Sequence, residues 1–419
     1  MRLNYRKTFL IGFGFMANIL AWSLYNSFVP LMLEERYIAS TTIIGFIMTI
    51  DNIFGVIFQP LVGQLSDRTR TRIGRRMPYI LFGVPVCAVL FVLIPMTRNL
   101  AAMMTVIILF NLGMSIWRSP VVALMPDMTP PAHRSKANGI INLMGGIGSI
   151  IAFVVGGMLV NLAGYNLPFL VGAIVMVLAV VILFLFIKEP DSRKLARQLE
   201  AREAGLKSSD IPAGQPDGNK QKGLHHLSGP EKRSLYLMLA AIFFWFCGYN
   251  AIEAFFTLYI KNTFNIVDTL SLALFSVSFV AFALPAGILA GRFGRKRLII
   301  IGLAGIILIF IPMIFLENLL VMRILLLIAG VFWACININS LPMVVELASP
   351  ERIGSFTGYY YFFSFSAAIL SPTLFGLLRD LTQSYSILFT YSIAAFVLAL
   401  ICISLVRHGE AKADVSAVV

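Results

Sequence analysis

Long apolar runs alternate with short polar interruptions along this chain, and each run has the length of a bilayer-crossing helix, which needs ~20 mostly apolar residues. The pattern predicts twelve helices, over 8–33, 41–65, 77–97, 100–125, 136–162, 167–187, 234–260, 268–290, 296–315, 319–344, 353–378 and 384–406. One interruption is unlike the rest. Residues 188–233 are polar and charged and contain Ile211-Pro212-Ala213-Gly214-Gln215-Pro216-Asp217-Gly218. That composition predicts a linker with a short amphipathic helix over 191–204. It divides the chain into an N-terminal six-helix bundle (1–187), a linker (188–233) and a C-terminal six-helix bundle with a short tail (234–419).

Composition agrees with an all-α membrane protein. Of 419 residues, 58% are hydrophobic and 13% charged, whereas a soluble domain carries ~25% charged residues. A soluble enzyme, a disordered chain and a disulfide scaffold are excluded. So is an outer-membrane barrel, whose strands alternate apolar and polar positions. Arg2, Arg6 and Lys7 precede an apolar run too long for a cleaved signal core, with no A-x-A-like site after it, so that run is read as a membrane helix. No HExxH, P-loop or paired catalytic set is present, and Gly12-Phe13-Gly14 falls inside a span. Cys87, Cys247, Cys335 and Cys402 lie in apolar runs and read as small hydrophobes. No metal-ligand spacing exists, and His225-His226 lie in the linker.

The net charge of +13 would suggest nucleic acid as the partner of a soluble domain. Here its placement explains it. With both termini in the cytoplasm, 27 of the 33 Lys and Arg lie on the cytoplasmic side, five lie outside, and Arg118 lies within the membrane. That asymmetry follows the positive-inside rule. The expected partner is a lipid bilayer, with no role for nucleic acid, and the lean loops suggest a bacterial plasma membrane.

The two halves repeat. Gly63-Gln64-Leu65-Ser66-Asp67-Arg68, followed by Gly74-Arg75-Arg76, ends the second predicted helix. Gly287-Ile288-Leu289-Ala290-Gly291-Arg292-Phe293-Gly294-Arg295-Lys296 ends the eighth. Tyr25-Asn26 and Tyr249-Asn250 are offset by the same 224 positions as Gly63 and Gly287. Asp127 precedes Arg134 and Gly139 as Glu346 precedes Arg352 and Gly358. A two-fold repeat of six helices is a transporter plan. With its Gly-x-x-x-Asp-Arg…Gly-Arg-Arg loop, the chain resembles the major facilitator superfamily along essentially its whole length. The string from Gln59-Pro60 to Pro78-Tyr79, and Arg118-Ser119-Pro120 to Pro126-Asp127, look like the sucrose–proton symporter branch (the solute carrier 45-like group), akin to the glycoside-pentoside-hexuronide symporters. The resemblance implies two pseudo-symmetric bundles, both termini cytoplasmic, and proton-driven sugar transport. The aspartates that melibiose-type sodium symporters carry near Pro60 are Gly55 and Gln59 here, so sodium coupling through that pair is not implied. Plant-type sucrose carriers place an arginine where this chain has Val122.

Ionisable residues at membrane depth are costly and are functional candidates by default. Asp51 lies ~15 Å into helix two, Arg118 ~13 Å from the cytoplasmic end of helix four, and Glu253 ~12 Å below the outer surface, at ~1.5 Å per residue. All three are expected to face one central cavity. Burial raises a carboxyl pKa and a nearby arginine lowers it, so Asp51 or Glu253 is the expected proton acceptor. Arg118 stays charged and is expected to set that affinity or to bind substrate hydroxyls. Sugars present both C–H faces and hydroxyls, so Trp22, Tyr25, Asn26, Asn52, Trp117, Asn142, Tyr249, Asn250, Trp333 and Asn337 join Arg118 and Glu253 as binding candidates. Inter-helix bonding is the alternative for the amides, and packing for Tyr359-Tyr360-Tyr361. The resemblance implies a cytoplasmic charge latch of Asp67, Arg68, Arg75 and Arg76 with Asp127. Gly63, Gly74, Arg134, Glu346 and Arg352 complete the gating set. Glycines 139, 145, 146, 148, 156 and 157 suit close helix packing.

The reading is a secondary transporter carrying a disaccharide or glycoside with a proton by alternating access, as a functional monomer. A proton gradient is its energy source, and no cofactor or metal is expected. The alternative is a proton antiporter that exports drugs or other amphiphiles.

Overall fold

The computed structural model describes residues 4–129, 134–189, 228–347 and 353–407. Among them every regular element is an α-helix. In chain order these are α1 (Tyr5–Arg36), α2 (Thr41–Met48), α3 (Ile50–Arg68), α4 (Met77–Met96), α5 (Leu100–Met128), α6 (Arg134–Ala163), α7 (Asn166–Phe186), α8 (Gly229–Phe264), α9 (Leu270–Phe293), α10 (Arg295–Met313), α11 (Leu319–Val345), α12 (Ile353–Thr382) and α13 (Ile387–Leu405). Among the described residues twelve spans are long and apolar enough to cross a membrane, α2 and α3 together forming the second. The chain is a multi-pass membrane protein. The expected amphipathic helix over 191–204 and the pair His225-His226 lie outside the described residues, as does Arg352.

The helices start where their caps dictate. Asn99 accepts the Ala102 N–H at 2.8 Å and begins α5. Asn318 accepts the Leu320 and Val321 N–H groups and begins α11. At α8 a capping box, in which Ser228 and Glu231 exchange bonds, satisfies two otherwise orphaned donors. It starts the helix at Gly229 rather than at the expected 234.

The second span is not one helix. It breaks at Thr49, whose hydroxyl donates to the Phe46 carbonyl at 2.7 Å. Such local bonds compete with the helical ladder. The break puts Asp51 in the first turn of α3, where a carboxylate suits the positive end of the helix dipole.

The described residues form two compact units. The first comprises the described residues within 4–21, 54–148 and 166–189; the second comprises those within 22–53, 149–165 and 228–407. In the first, α4 packs between α5 and α7, with Phe91 against both Phe110 and Phe169. In the second, α8 packs on α12 and α13, α11 on α9 and α10, and α2 on α12. The packing glycines divide. A Cβ on Gly148 would meet the Met16 carbonyl oxygen at 2.4 Å and one on Gly156 the Leu24 side chain at 2.5 Å, whereas Gly139 faces open space and is no packing site.

Candidate functional site

In the second unit a cavity of about 50 Å³ is lined by Tyr249, Glu253, Phe275, Ser276, Trp333 and otherwise apolar side chains. Water needs roughly 10–15 Å³ of such volume, so the cavity accommodates a few waters and not a disaccharide. Its aromatic wall is ordered. Tyr249 and Trp333 stack with centroids 4.4 Å apart and planes 4° from parallel. Phe246 meets Trp333 edge-on at 5.9 Å, and Phe275 lies 6.3 Å from Tyr249. Glu253 is the one carboxyl among the lining residues. The Asn26 side chain, from α1, hydrogen-bonds it.

The other candidates separate by what their polar atoms reach. Asn250 donates to the Phe246 carbonyl at 2.7 Å and Asn142 to that of Asn138 at 2.9 Å, each on its own helix. Asn52 donates to its neighbour Asp51 at 2.8 Å. Asn337 is half-buried, and its carbonyl accepts from Ser340. Tyr25 is fully buried, edge-on to Trp22 at 5.6 Å. Trp117 is buried in the first unit, beside Gly83. Neither Tyr25 nor Trp117 lines the cavity. Arg118, on α5, is half-buried in the first unit, and Asp51 belongs to the second. Tyr360 bonds to Ser340 at 3.0 Å and meets Phe246 edge-on, so it packs.

The loop motif of the first unit forms a charge cluster. Arg76 is 5% exposed. Its guanidinium donates to Asp67, to Asp127 at 2.9 Å, to the Gly63 carbonyl at 3.3 Å and to the Ser66 hydroxyl. Arg75 donates to Asp127 at 2.6 and 3.2 Å. The planar five-donor fork of arginine suits such multiple bonding. From the end of α7, the Glu189 carboxylate accepts the backbone N–H groups of Arg76 and Met77 and so caps α4. Gly74 makes room for it. Gly74 has φ +103°, and a Cβ there would fall 2.1 Å from a Glu189 oxygen. Arg68 is exposed and bonds to none of the described residues, so it stands outside the cluster that the resemblance implied. Arg134 begins α6.

The second repeat keeps half of this arrangement. Arg295 pairs with Glu346, 51 residues on, as Arg75 pairs with Asp127, 52 residues on. Lys296, where the first repeat has Arg76, instead donates to the Ser404 and Val406 carbonyls at 2.9 and 2.6 Å. A cation is favoured at that C-terminal end of α13. Glu346, of the expected gating set, thus has Arg295 as its partner among the described residues.

One cluster escaped the sequence reading. At the C-terminal ends of α1 and α8, Lys261 lies 2.6 Å from Glu35 and 3.9 Å from Glu34. Tyr165 donates to Glu35 at 2.9 Å, Asn262 to Glu34 at 3.2 Å, and Tyr385 to Glu34. A separate pair joins Arg323 to the buried Asp268 at 2.8 Å. The available signal was acids at the ends of apolar runs facing bases at the ends of others. Among the described residues no group of three or more His, Cys, Asp or Glu is placed to hold a metal.

Known proteins agree with this architecture. The tetracycline resistance protein, class H, of Pasteurella multocida is 27% identical over 299 residues, covering 70% of this chain and 67% of that protein. The sucrose transport protein SUC3 of Arabidopsis thaliana is 29% identical over 134 residues, covering 27% of this chain and 23% of that protein, so less than a quarter of the plant protein is matched. A solved bacterial homologue of the human lysosomal transporter Spinster, inward-facing and occupied, superposes with a TM-score of 0.71 at 14% identity over 97% of both chains. The family profile described as Major Facilitator Superfamily matches residues 11–372 and 268–416. Twelve apolar spans, a repeated Arg–acid pair and that match together place the chain in the major facilitator superfamily, a family of transporters and not of enzymes.

Proposed function

We propose that the chain is a proton-coupled symporter of a small glycoside, working by alternating access in the plasma membrane with both termini cytoplasmic. The observation that carries this reading is Glu253 in its small aromatic cavity, hydrogen-bonded by Asn26. A carboxyl at membrane depth is retained at a cost, and a water-sized space beside it suits a proton and its hydration better than a substrate. Glu253 is the proton carrier in this reading. Asp51, at the break in the second span, is a second carboxyl available to the pathway, and Arg118 binds substrate hydroxyls. The proton gradient supplies the energy, with no cofactor. The Arg-rich loop and the sucrose transport protein among the relatives support the sugar.

A second reading, export of an amphiphile by proton antiport, is favoured by the almost wholly apolar cavity lining and by the relative that confers tetracycline resistance. Proteoliposomes separate the two. Symport predicts uptake of a disaccharide from a panel, driven by an inward proton gradient. Antiport predicts extrusion of an amphiphilic dye under the same gradient. Glu253→Gln is expected to abolish gradient-driven accumulation while sparing substrate exchange. Full proton coupling in both Glu253→Gln and Asp51→Asn would end the proposal.

A further inference from the structure

The short helix α2 begins against the end of α12, and one carboxylate organises the contact. Asp380 accepts the Thr41 N–H at 2.9 Å and the Thr42 N–H at 3.0 Å. It also accepts the Ser40 hydroxyl at 2.6 Å and the Thr42 hydroxyl at 2.7 Å. Ser40 takes the third free amide, that of Ile43. The donors that a helix start leaves without intrahelical partners are thus satisfied at N1 and N2 by a residue more than 330 positions away in sequence. Arg379 lies 3.3 Å from the same carboxylate and over the Tyr385 ring at 4.3 Å.

Two glycines make the approach possible. A Cβ on Gly45 would lie 2.3 Å from the Pro372 carbonyl oxygen, and one on Gly376 would lie 2.4 Å from the Thr41 carbonyl oxygen. Backbone therefore meets backbone on both sides of the contact. It joins the second span to the eleventh, one from each sequence repeat. It lies with the Glu34–Lys261–Tyr385 cluster, to which Thr41 is linked through the Tyr385 hydroxyl at 3.3 Å. Alternating access requires every contact that joins the two repeats at one end to break once per cycle.

We propose that Asp380 is a gating residue of the transport cycle, a carboxylate latch that holds α2 against α12 by capping the helix start and releases it when that end opens. The proposal rests on membership of the transporter family and is independent of the substrate and of the coupling ion.

The test reads conformation and not transport. Spin labels are placed at Ala39→Cys and Ser384→Cys, two exposed positions flanking the contact, in a Cys402→Ala background reconstituted in nanodiscs, and their distance distribution is measured. Losing a helix-start cap changes an equilibrium by roughly 2- to 30-fold. Asp380→Asn is expected to raise the ratio of long to short distances within that range, and Thr42→Val, which removes one hydroxyl donor, is expected to raise it less. An unchanged distribution in folded Asp380→Asn overturns the proposal. Should Asp380→Asn fail to fold, Thr42→Val decides alone: a longer distance supports the latch and an unchanged one overturns it. Loss of uptake with an unchanged distribution also counts against the latch while leaving the transporter reading intact.

Discussion

The Arg76 guanidinium is almost wholly buried and holds Asp127 at 2.9 Å through Nε while Nη2 donates to Asp67. Asp67 is half exposed, which weakens its share, whereas Asp127 is 19% exposed. Arg76→Ala is expected to cost about 2–3 kcal/mol, because Asp67 and the buried Ser66 hydroxyl lose the donor that joins them and Asp127 is left with Arg75 alone. Arg76→Lys should recover little of this, since an ammonium lacks the fork. Arg68→Ala, two residues after Ser66 but exposed, should stay within about 0.5 kcal/mol. Thermal unfolding of the purified variants in one detergent checks all three, and an equal loss at Arg68 and Arg76 would contradict the assignment.

Asn26 and Asn250 occupy equivalent places in the repeat, and the structure gives them different partners. Asn26 reaches Glu253, while Asn250 bonds to the Phe246 carbonyl of its own helix. Asn26→Ala is expected to alter the pH profile of uptake. Asn250→Ala should leave that profile in place, with a stability loss of about 1 kcal/mol. Uptake measured from pH 5 to 8 distinguishes them, and identical profiles would remove Asn26 from the proton site.

Trp333 is 3% exposed and covers the face of Tyr249. Trp333→Ala should cost about 3–5 kcal/mol through the cavity it leaves. Trp333→Phe keeps the stacking surface and should cost less. A melting series on the two variants checks the order.

Tyr385 is buried and donates to Glu34. Burial first, and then that bond, push its hydroxyl well above the usual tyrosine range. The protonated form is the one the fold favours. Its contribution is therefore complete below the ordinary tyrosine value of about 10 and is lost only as pH rises through the raised value. Tyr385→Phe should be less stable by about 1–2 kcal/mol, and that difference should be constant from pH 6 to 9. A difference that fades within this window would show that the hydroxyl ionises early.

Much of the fold was legible because bilayer spans announce themselves by length and apolarity, and twelve of them are present. The loop cluster of Asp67, Arg75, Arg76 and Asp127 was implied by the resemblance that the loop motif carries, while the pairing of Arg295 with Glu346 emerged only in the fold. The break at Thr49 was not. The run from Thr41 onward stays apolar through it, and the competing bond is a hydroxyl–carbonyl contact that no period reveals. The start of α8 was legible in Ser228 and Glu231, a capping-box spacing hidden inside a stretch taken for linker. Trp117 and Tyr25 show the opposite difficulty. Aromatic type alone does not say which way a side chain points, and both lie buried. Asp380 was beyond reach, because its partners Ser40–Thr42 lie far off in sequence and only the folded chain brings them together.

The eight-residue length of α2 has one further consequence. Isolated helices shorter than ~12–15 residues are marginal, so these two turns owe their order to the neighbours that cap and cover them. They form a small cooperative segment whose local opening needs less free energy than that of the longer spans. Amide protons at Thr41, Thr42 and Ile43 should then exchange with deuterium in step with each opening of this end, a built-in clock for the cycle that requires no label on the protein.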